Sequence, residues 1–320
     1  MIGTIVGILL GIGLILLGGS YICFRMAYYV DRKKDDTGEE FSLPPGEIYL
    51  PHHDQMVAWM KEVRRLPCQE VCITSHDGLK LYGKYYECRP GAPIELMFHG
   101  YRGNAERDLC GGVQRSFSLG HNALLVDQRT SGKSGGTVIS FGINESKDCL
   151  RWVDFAIEHF GKDVRLILTG ISMGAATVLL AGGRELPENV VGILADCGYS
   201  SPKAIIQKVI LQLKLPAKLL YPLVRLGALL YGRFDPEEDS PLEAMKRCKL
   251  PVIFFHGEDD DYVPCEMSRE NYAACASRKH LMTVPGAGHG LCYIIAPEEY
   301  LQALREFFDP LLEETTTISR

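Results

Sequence analysis

The chain has 320 residues, 34 Lys plus Arg against 40 Asp plus Glu, and a formal net charge of −6. With 46% hydrophobic and 23% charged residues it has the balance of a globular protein, which excludes wholesale disorder. The mild acidity argues against a nucleic-acid partner, which would call for an excess of Lys and Arg on one face. The length suits one large α/β domain or two small ones.

Ile2 to Phe24 is a run of 23 residues without a charge. At about 1.5 Å per residue such a helix crosses the ~30 Å hydrocarbon core of a bilayer. A cleavable signal would carry a basic start, a shorter apolar run and a small-residue cleavage site, and none of these is present. The spacing of Gly3, Gly7 and Gly11 would let two such helices approach closely as a homodimer, the lesser reading of glycines that are common in membrane helices. Positive charge comes after the run at Arg25, Arg32, Lys33 and Lys34, so the body is expected to face the cytoplasm as a single-pass membrane protein. The 11 cysteines contain no Cys-x-x-Cys pair, and scattered thiols fit a reducing compartment. Asp31 to Gly46, charged and then broken by Pro44, Pro45 and Gly46, reads as a tether.

From His52 to Leu66, Met56, Trp59, Met60 and Val63 recur at helical spacing. Val71–Thr74 and Leu79–Tyr86 are strand-like runs about the turn His76-Asp77-Gly78. Strands then alternate with helices: Ile94–Phe98, Ala123–Asp127, Arg165–Ile171, Val190–Asp196, Val252–Phe255 and Leu281–Val284 are the strands. Helices are expected up to Leu119, around Cys149–Phe160, at Met173–Ala181 and at Pro297–Phe308. Largely apolar strands separated by helices imply a parallel sheet covered on both faces, with functional residues beyond its carboxyl edge.

Gly-x-Ser-x-Gly occurs twice, around Ser134 and around Ser172. A nucleophile elbow needs a strand running straight into the serine and a helix leaving at once, with glycines relieving the bend. Ser172 comes directly after Leu166-Ile167-Leu168-Thr169-Gly170-Ile171 and precedes Met173-Gly174-Ala175-Ala176, so it meets that demand. Ser134 stands in a loop past its strand. Gly132-Lys133-Ser134 is not a phosphate loop either, because Asp127 occupies the position where the first glycine should stand.

A serine hydroxyl needs a base held by a carboxylate, and in this topology their chain order is Ser, acid, His. His280 opens a strand and His256 precedes the acids, whereas His289 lies in the Gly-rich loop 285–290 past the last strand. The acid comes from the consecutive Glu258, Asp259, Asp260 and Asp261, with Asp196 an outside candidate. Two N–H donors must face the developing oxyanion. Those of Met173, after the nucleophile, and Tyr101, in His99-Gly100-Tyr101-Arg102-Gly103, are the expected pair, with His99 a structural residue of its loop.

With these residues in place, Val71 to Phe308 resembles the alpha/beta-hydrolase superfamily, and most nearly its membrane-anchored bacterial members of the serine-aminopeptidase and monoglyceride-lipase-like type. The marks are Thr74-Ser75-His76-Asp77-Gly78, His99-Gly100-Tyr101, Asp127-Gln128-Arg129, Gly170-Ile171-Ser172-Met173-Gly174, His256-Gly257 to Val263-Pro264, and Gly288-His289-Gly290. The family motif His-Gly-x-x-Asp-x-x-Val-Pro puts the triad acid on Asp260, with Asp261 the runner-up. The resemblance thus implies a catalytic triad of Ser172, Asp260 and His289 with Tyr101 and Met173 at the oxyanion, and calls for no cofactor or metal. It implies an α/β fold with a helical lid, and the chain as a whole reads as a transmembrane anchor over 1–24, a linker over 25–46 and a hydrolase domain over 47–320 with a lid at about 199–243. The lid is apolar and basic, with no acid between Lys203 and Phe234, and Pro216 and Pro222 are expected to break it into short helices. A carboxylic-ester hydrolase acting on a small-molecule or lipid-like acyl substrate is the leading reading. A peptidase or thioesterase with the same triad, and a catalytically silent membrane scaffold, are its rivals.

Overall fold

The computed structural model describes residues 2–31, 41 and 43–318, with backbone only over 314–318. Two antiparallel strands, β1 (Gln69–Thr74) and β2 (Lys80–Tyr86), begin the sheet. Next come β3 (Ile94–Phe98), β4 (Asn122–Val126), β5 (Leu166–Ile171), β6 (Val190–Asp196), β7 (Val252–Gly257) and β8 (Lys279–Val284), all parallel to one another. The order across the 8-stranded sheet is β1-β2-β4-β3-β5-β6-β7-β8. The chain therefore leaves β3 toward one side and returns for β5 on the other. That reversal opens a crevice at the carboxyl edge between the loops after β3 and β5.

Alternate side chains of the central strands enter two cores. One holds Leu96, Leu124, Leu168 and Phe254 under α4 (Ile143–Phe160), α5 (Met173–Gly182) and α8 (Pro241–Arg247). The other holds Met97, Leu125, Ile167 and Phe255 under α2 (His53–Arg65), α3 (Ala105–Ser118) and α11 (Pro297–Ile318). Two-sided burial explains why these strands read as apolar runs rather than as alternation. Among the polar residues that interrupt the pattern is the buried Glu95 in β3, whose carboxylate meets Arg115 of α3 at 2.6 Å and His121 at 3.1 Å. α9 (Cys265–Ala274) and the short α10 (Cys292–Ile295) complete the domain.

Between β6 and β7 stand α6 (Pro202–Gln212), α7 (Ala217–Gly227), a π turn over 228–232, and α8. Ser201 and Ser240 cap α6 and α8, each hydroxyl accepting a backbone N–H, with proline at the first helical position. Pro216 precedes α7 as expected, but Pro222 lies inside it without breaking it. Its ring is exposed, and the carbonyl deprived of an N–H donor belongs to Lys218 in the exposed first turn, where water can serve.

The long apolar helix α1 runs from Ile2 to Ala27, past the expected end at Phe24. Beyond Ala27 the chain does not begin as a free tether. Tyr28 is fully buried, with its ring edge-on to Phe141 at 5.6 Å and to Phe234 at 5.1 Å. The N–H of Val30 donates to Thr137 O at 2.9 Å, and that of Ile139 to Tyr28 O at 2.8 Å. The stretch 32–40, with Arg32, Lys33 and Lys34, lies outside the described residues. Gly3, Gly7 and Gly11 have nothing within 4 Å of where a Cβ would stand, so within the chain that face of α1 is open. The small residues that α1 brings into close contact are Gly19 and Ser20, against α7: a Cβ on Gly227 would come 2.4 Å from Ser20 O.

Candidate active site

Ser172 stands between β5 and α5 with φ 57° and ψ −117°, a conformation that costs a non-glycine residue about 1–3 kcal/mol. The two glycines that flank it are sterically required. A Cβ on Gly170 would lie 2.1 Å from Gly174 O, and one on Gly174 would lie 2.0 Å from Phe98 O. The serine N–H donates to Asp196 O at 2.8 Å, which fastens the bend to β6. Its hydroxyl is left at the head of α5, where the helix dipole favours negative charge.

His289, in the loop between β8 and α10, meets that hydroxyl with Nε2 at 2.9 Å, and its Nδ1 lies 2.6 Å from Asp260 Oδ2. The three side chains singled out in the sequence are thus joined in one hydrogen-bonded chain. Asp260 is held from behind, since its Oδ1 accepts the N–H groups of Tyr262 at 2.9 Å and Val263 at 2.7 Å. Burial alone would raise its pKa. Hydrogen bonds from His256 and His289, with the N–H of Val263, outweigh burial and hold the carboxyl well below the usual range.

The alternatives for the acid are elsewhere. Asp261 is exposed, and its carbonyl, not its carboxylate, is used, by Lys208 and by Gln212 at 2.9 Å. Glu258 accepts from Thr283 at 2.7 Å. Asp196 is buried and accepts from the Tyr300 hydroxyl at 2.9 Å; burial raises its pKa. His280 sits at the amino end of β8, away from the crevice.

The loop after β3 abuts the serine: a Cβ on Gly100 would lie 3.5 Å from Ser172 Cβ. Gly100 N–H is taken by Asp108 Oδ2 at 3.0 Å, which fixes the loop. Among the described residues no acceptor takes the N–H of Tyr101 or of Met173. His99 is buried in its own loop, its Nδ1 2.8 Å from Gly100 O and its Nε2 accepting from Gln128 N at 3.0 Å. Ser134 is fully buried, donating to Asp127 O at 2.6 Å and accepting Tyr82 N–H at 2.8 Å, so it pins a loop.

Several neighbours of the site were given no supporting role in the sequence. His256 is fully buried, with Nδ1 2.6 Å from Ser268 Oγ and Nε2 2.8 Å from Val263 O, bracing the loop that carries Asp260. The Tyr49 hydroxyl donates to His289 O at 3.0 Å, and the Tyr262 ring lies 5.1 Å from the imidazole. Cys197 Sγ is 4.0 Å from His289 Nε2, and burial raises its thiol pKa well above the ordinary value. Of these, His256 was visible as the first residue of the motif that carries Asp260, and Cys197 as the residue directly after a strand ending at the crevice; Tyr49 and Tyr262 left no trace.

Among the described residues, two groups of donor atoms lie close enough to hold a cation. One is Cys197, Asp260 and His289, where the carboxylate and the imidazole are already engaged with each other and with Ser172; the other is His76, Asp77 and Asp148. In the second group the Arg129 guanidinium already supplies the charge, at 2.8 Å from Asp148 and 3.0 Å from Asp77.

No protein-family model matches the chain. YqkD of Bacillus subtilis is 28% identical over 198 residues, covering 62% of this chain and 65% of YqkD, just under two thirds of that protein. An esterase of Pyrococcus furiosus has a similar structure, with a TM-score of 0.63 and 23% identity, over 78% of this chain and 93% of the esterase. The alpha/beta hydrolase GrgF of Penicillium matches with a TM-score of 0.59 and 19% identity, over 77% of this chain and 99% of GrgF.

Proposed function

We propose that this chain, which has the alpha/beta-hydrolase fold, is a serine hydrolase that cleaves carboxylic esters through an acyl-enzyme. The observation that carries the reading is the unbroken hydrogen-bonded chain from Ser172 through His289 to Asp260. In the first half-reaction His289 Nε2 takes the hydroxyl proton as Ser172 Oγ attacks the ester carbonyl. Asp260 holds the tautomer with the proton on Nδ1 and stabilises the imidazolium. The N–H groups of Tyr101 and Met173 receive the oxyanion, each donor of this kind contributing about 3 kcal/mol to the transition state. The imidazolium then protonates the leaving alcohol, and in the second half-reaction water, activated by the same base, releases the acid.

α1 is read as a single membrane span: it is 26 residues long, with a mean hydropathy of 2.4 over its apolar window. The body then lies on the side of Arg25, the cytoplasmic side by the positive-inside rule. An enzyme so held is suited to a lipid-like acyl ester. Labelling with a fluorophosphonate tests the chemistry: the parent should be labelled and Ser172→Ala should not. A series of nitrophenyl esters of increasing acyl length, run beside matched amides and thioesters, tests the substrate class. Faster turnover of amide or thioester than of ester would overturn the esterase reading while leaving the nucleophile in place.

A further inference from the structure

The charge-free run of the sequence continues through Phe24, and Arg25 is the first charge after it. Its last two turns are not free in space but are clasped by the lid. The Tyr231 hydroxyl donates to Leu17 O at 3.2 Å. The Tyr231 ring lies 5.2 Å from that of Tyr21 and 5.7 Å from that of Phe24. Leu223 Cδ1 stands 3.6 Å from where a Cβ on Gly19 would be, and Gly227 fits against Ser20 and Phe24. The side of this stretch turned away from the lid is apolar and open, Ile22 being 60% exposed. A stretch without charge, flanked by Arg25, belongs at the depth of the acyl chains and the headgroup border. Whatever packs beside it shares that depth.

The lid is dressed for such a place. Leu219, one turn before Leu223 and on the same face of α7, is 70% exposed. Leu211, Leu213 and Leu215 around the α6–α7 turn and Leu229 and Leu230 in the π turn are exposed as well. A body in contact with water alone rarely keeps so many large apolar side chains together on its surface. The exposed charges within 211–233, Lys214, Lys218 and Arg233, are all basic and suit lipid phosphates, and the acid beside them, Glu237, is paired with Lys203 at 3.4 Å and Arg225 at 3.6 Å. The leucine turn also reaches the site, because Lys208 and Gln212 at the end of α6 bond to the carbonyl of Asp261 beside Asp260.

We propose that the leucine-lined face of the lid is sunk in the phospholipid leaflet that α1 crosses. The expected depth is that of an interfacial helix, about 5–10 Å, which brings the rim of the Ser172 site to the lipid surface. The proposal rests on the reading of α1 as a membrane span but not on the chemistry at Ser172. Its test is fluorescence of the full chain in nanodiscs of phosphatidylcholine and phosphatidylglycerol with brominated acyl chains. Tryptophan is introduced singly by Leu219→Trp, by Leu9→Trp in α1, and by Glu185→Trp at the amino edge of the sheet. The parent, with Trp59 and Trp152, supplies the background. Quenching of the Leu219→Trp signal to at least half the extent seen for Leu9→Trp, with Glu185→Trp near the parent, is the expected result. Quenching at Leu9→Trp alone overturns the seated lid and leaves the anchor standing. Quenching at neither overturns both, and quenching at Glu185→Trp equal to that at Leu219→Trp overturns the specific orientation. None of these outcomes depends on turnover.

Discussion

The hydroxyl of Tyr101 donates to the carbonyl of Ala27 at 2.7 Å, so the loop after β3 is tied to the last turn of α1. Arg102 adds bonds from its guanidinium to Met26 O at 2.9 Å and Tyr29 O at 3.1 Å. The carbonyls of Met26 and Ala27 belong to the last turn of the helix, where no intrahelical partner remains for them and where positive charge is favoured. One arrangement therefore caps α1 and steadies the backbone N–H proposed to face the oxyanion. Tyr101→Phe removes the tie and keeps both the ring and that N–H. A lost hydrogen bond of this type is worth about 1 kcal/mol, so kcat on a soluble nitrophenyl ester should fall several-fold with KM little changed. Circular dichroism should show the fold intact, and an unchanged kcat would separate the anchor from the chemistry.

The choice among consecutive acids gives a sharper contrast. Asp260 holds Nδ1 of His289, whereas the carboxylate of the exposed Asp261 is not part of that chain. Asp260→Asn keeps the shape but favours the wrong imidazole tautomer, and kcat should fall by about 10⁴. Asp261→Asn should stay within about twofold, since a solvated surface charge contributes little. Comparable losses in the two variants would return the question of the acid to the whole 258–261 cluster.

The serine elbow was legible because its demands are local. A strand must enter, a helix must leave, and glycines must stand where a Cβ would strike backbone; sequence shows all three. The parallel sheet was legible for a similar reason, since two-sided burial writes unbroken apolar runs. Contacts distant in sequence were not. Nothing near Tyr28 announces that it ends α1 inside the core against Phe141 and Phe234, and by composition alone the stretch resembles the start of a linker. Glu95 was hidden in an apolar strand because its partners, Arg115 and His121, lie on the next helix and loop. Pro222 misled because a helix-breaking tendency is weak where the carbonyl deprived of its donor faces water.

The close approach at Gly174 makes a stability prediction. Its absent Cβ would lie 2.0 Å from Phe98 O and 2.8 Å from His99 O, backbone that cannot yield without moving β3. Gly174→Ala should destabilise by about 3 kcal/mol, the upper end of the cost of overpacking, read as an earlier urea midpoint with unchanged slope. Gly91→Ala serves as a comparison for open space, though its φ of +70° carries a backbone cost of its own. A midpoint for Gly174→Ala equal to the parent's would mean that the elbow has slack.

The buried ion cluster in β3 contributes to the acid limb of stability. Burial alone would raise the pKa of Glu95, but the charges of Arg115 and His121 and their hydrogen bonds outweigh it and hold it at about 2. Unfolded, the same side chain titrates near about 4.3. A group depressed in the folded state binds its proton more tightly when unfolded, so its contribution is fully present above the unfolded value. It is lost as pH falls from there through about 2. Denaturant midpoints should therefore decline across that window, and Glu95→Gln should flatten the decline. Arg115→Met should be the more harmful change near neutral pH, by about 3–5 kcal/mol, because it strands a buried carboxylate with only His121 and Thr169 beside it. In the double variant with Glu95→Gln much of that loss should return, and its failure to return would show that Arg115 acts through packing against Tyr300 instead.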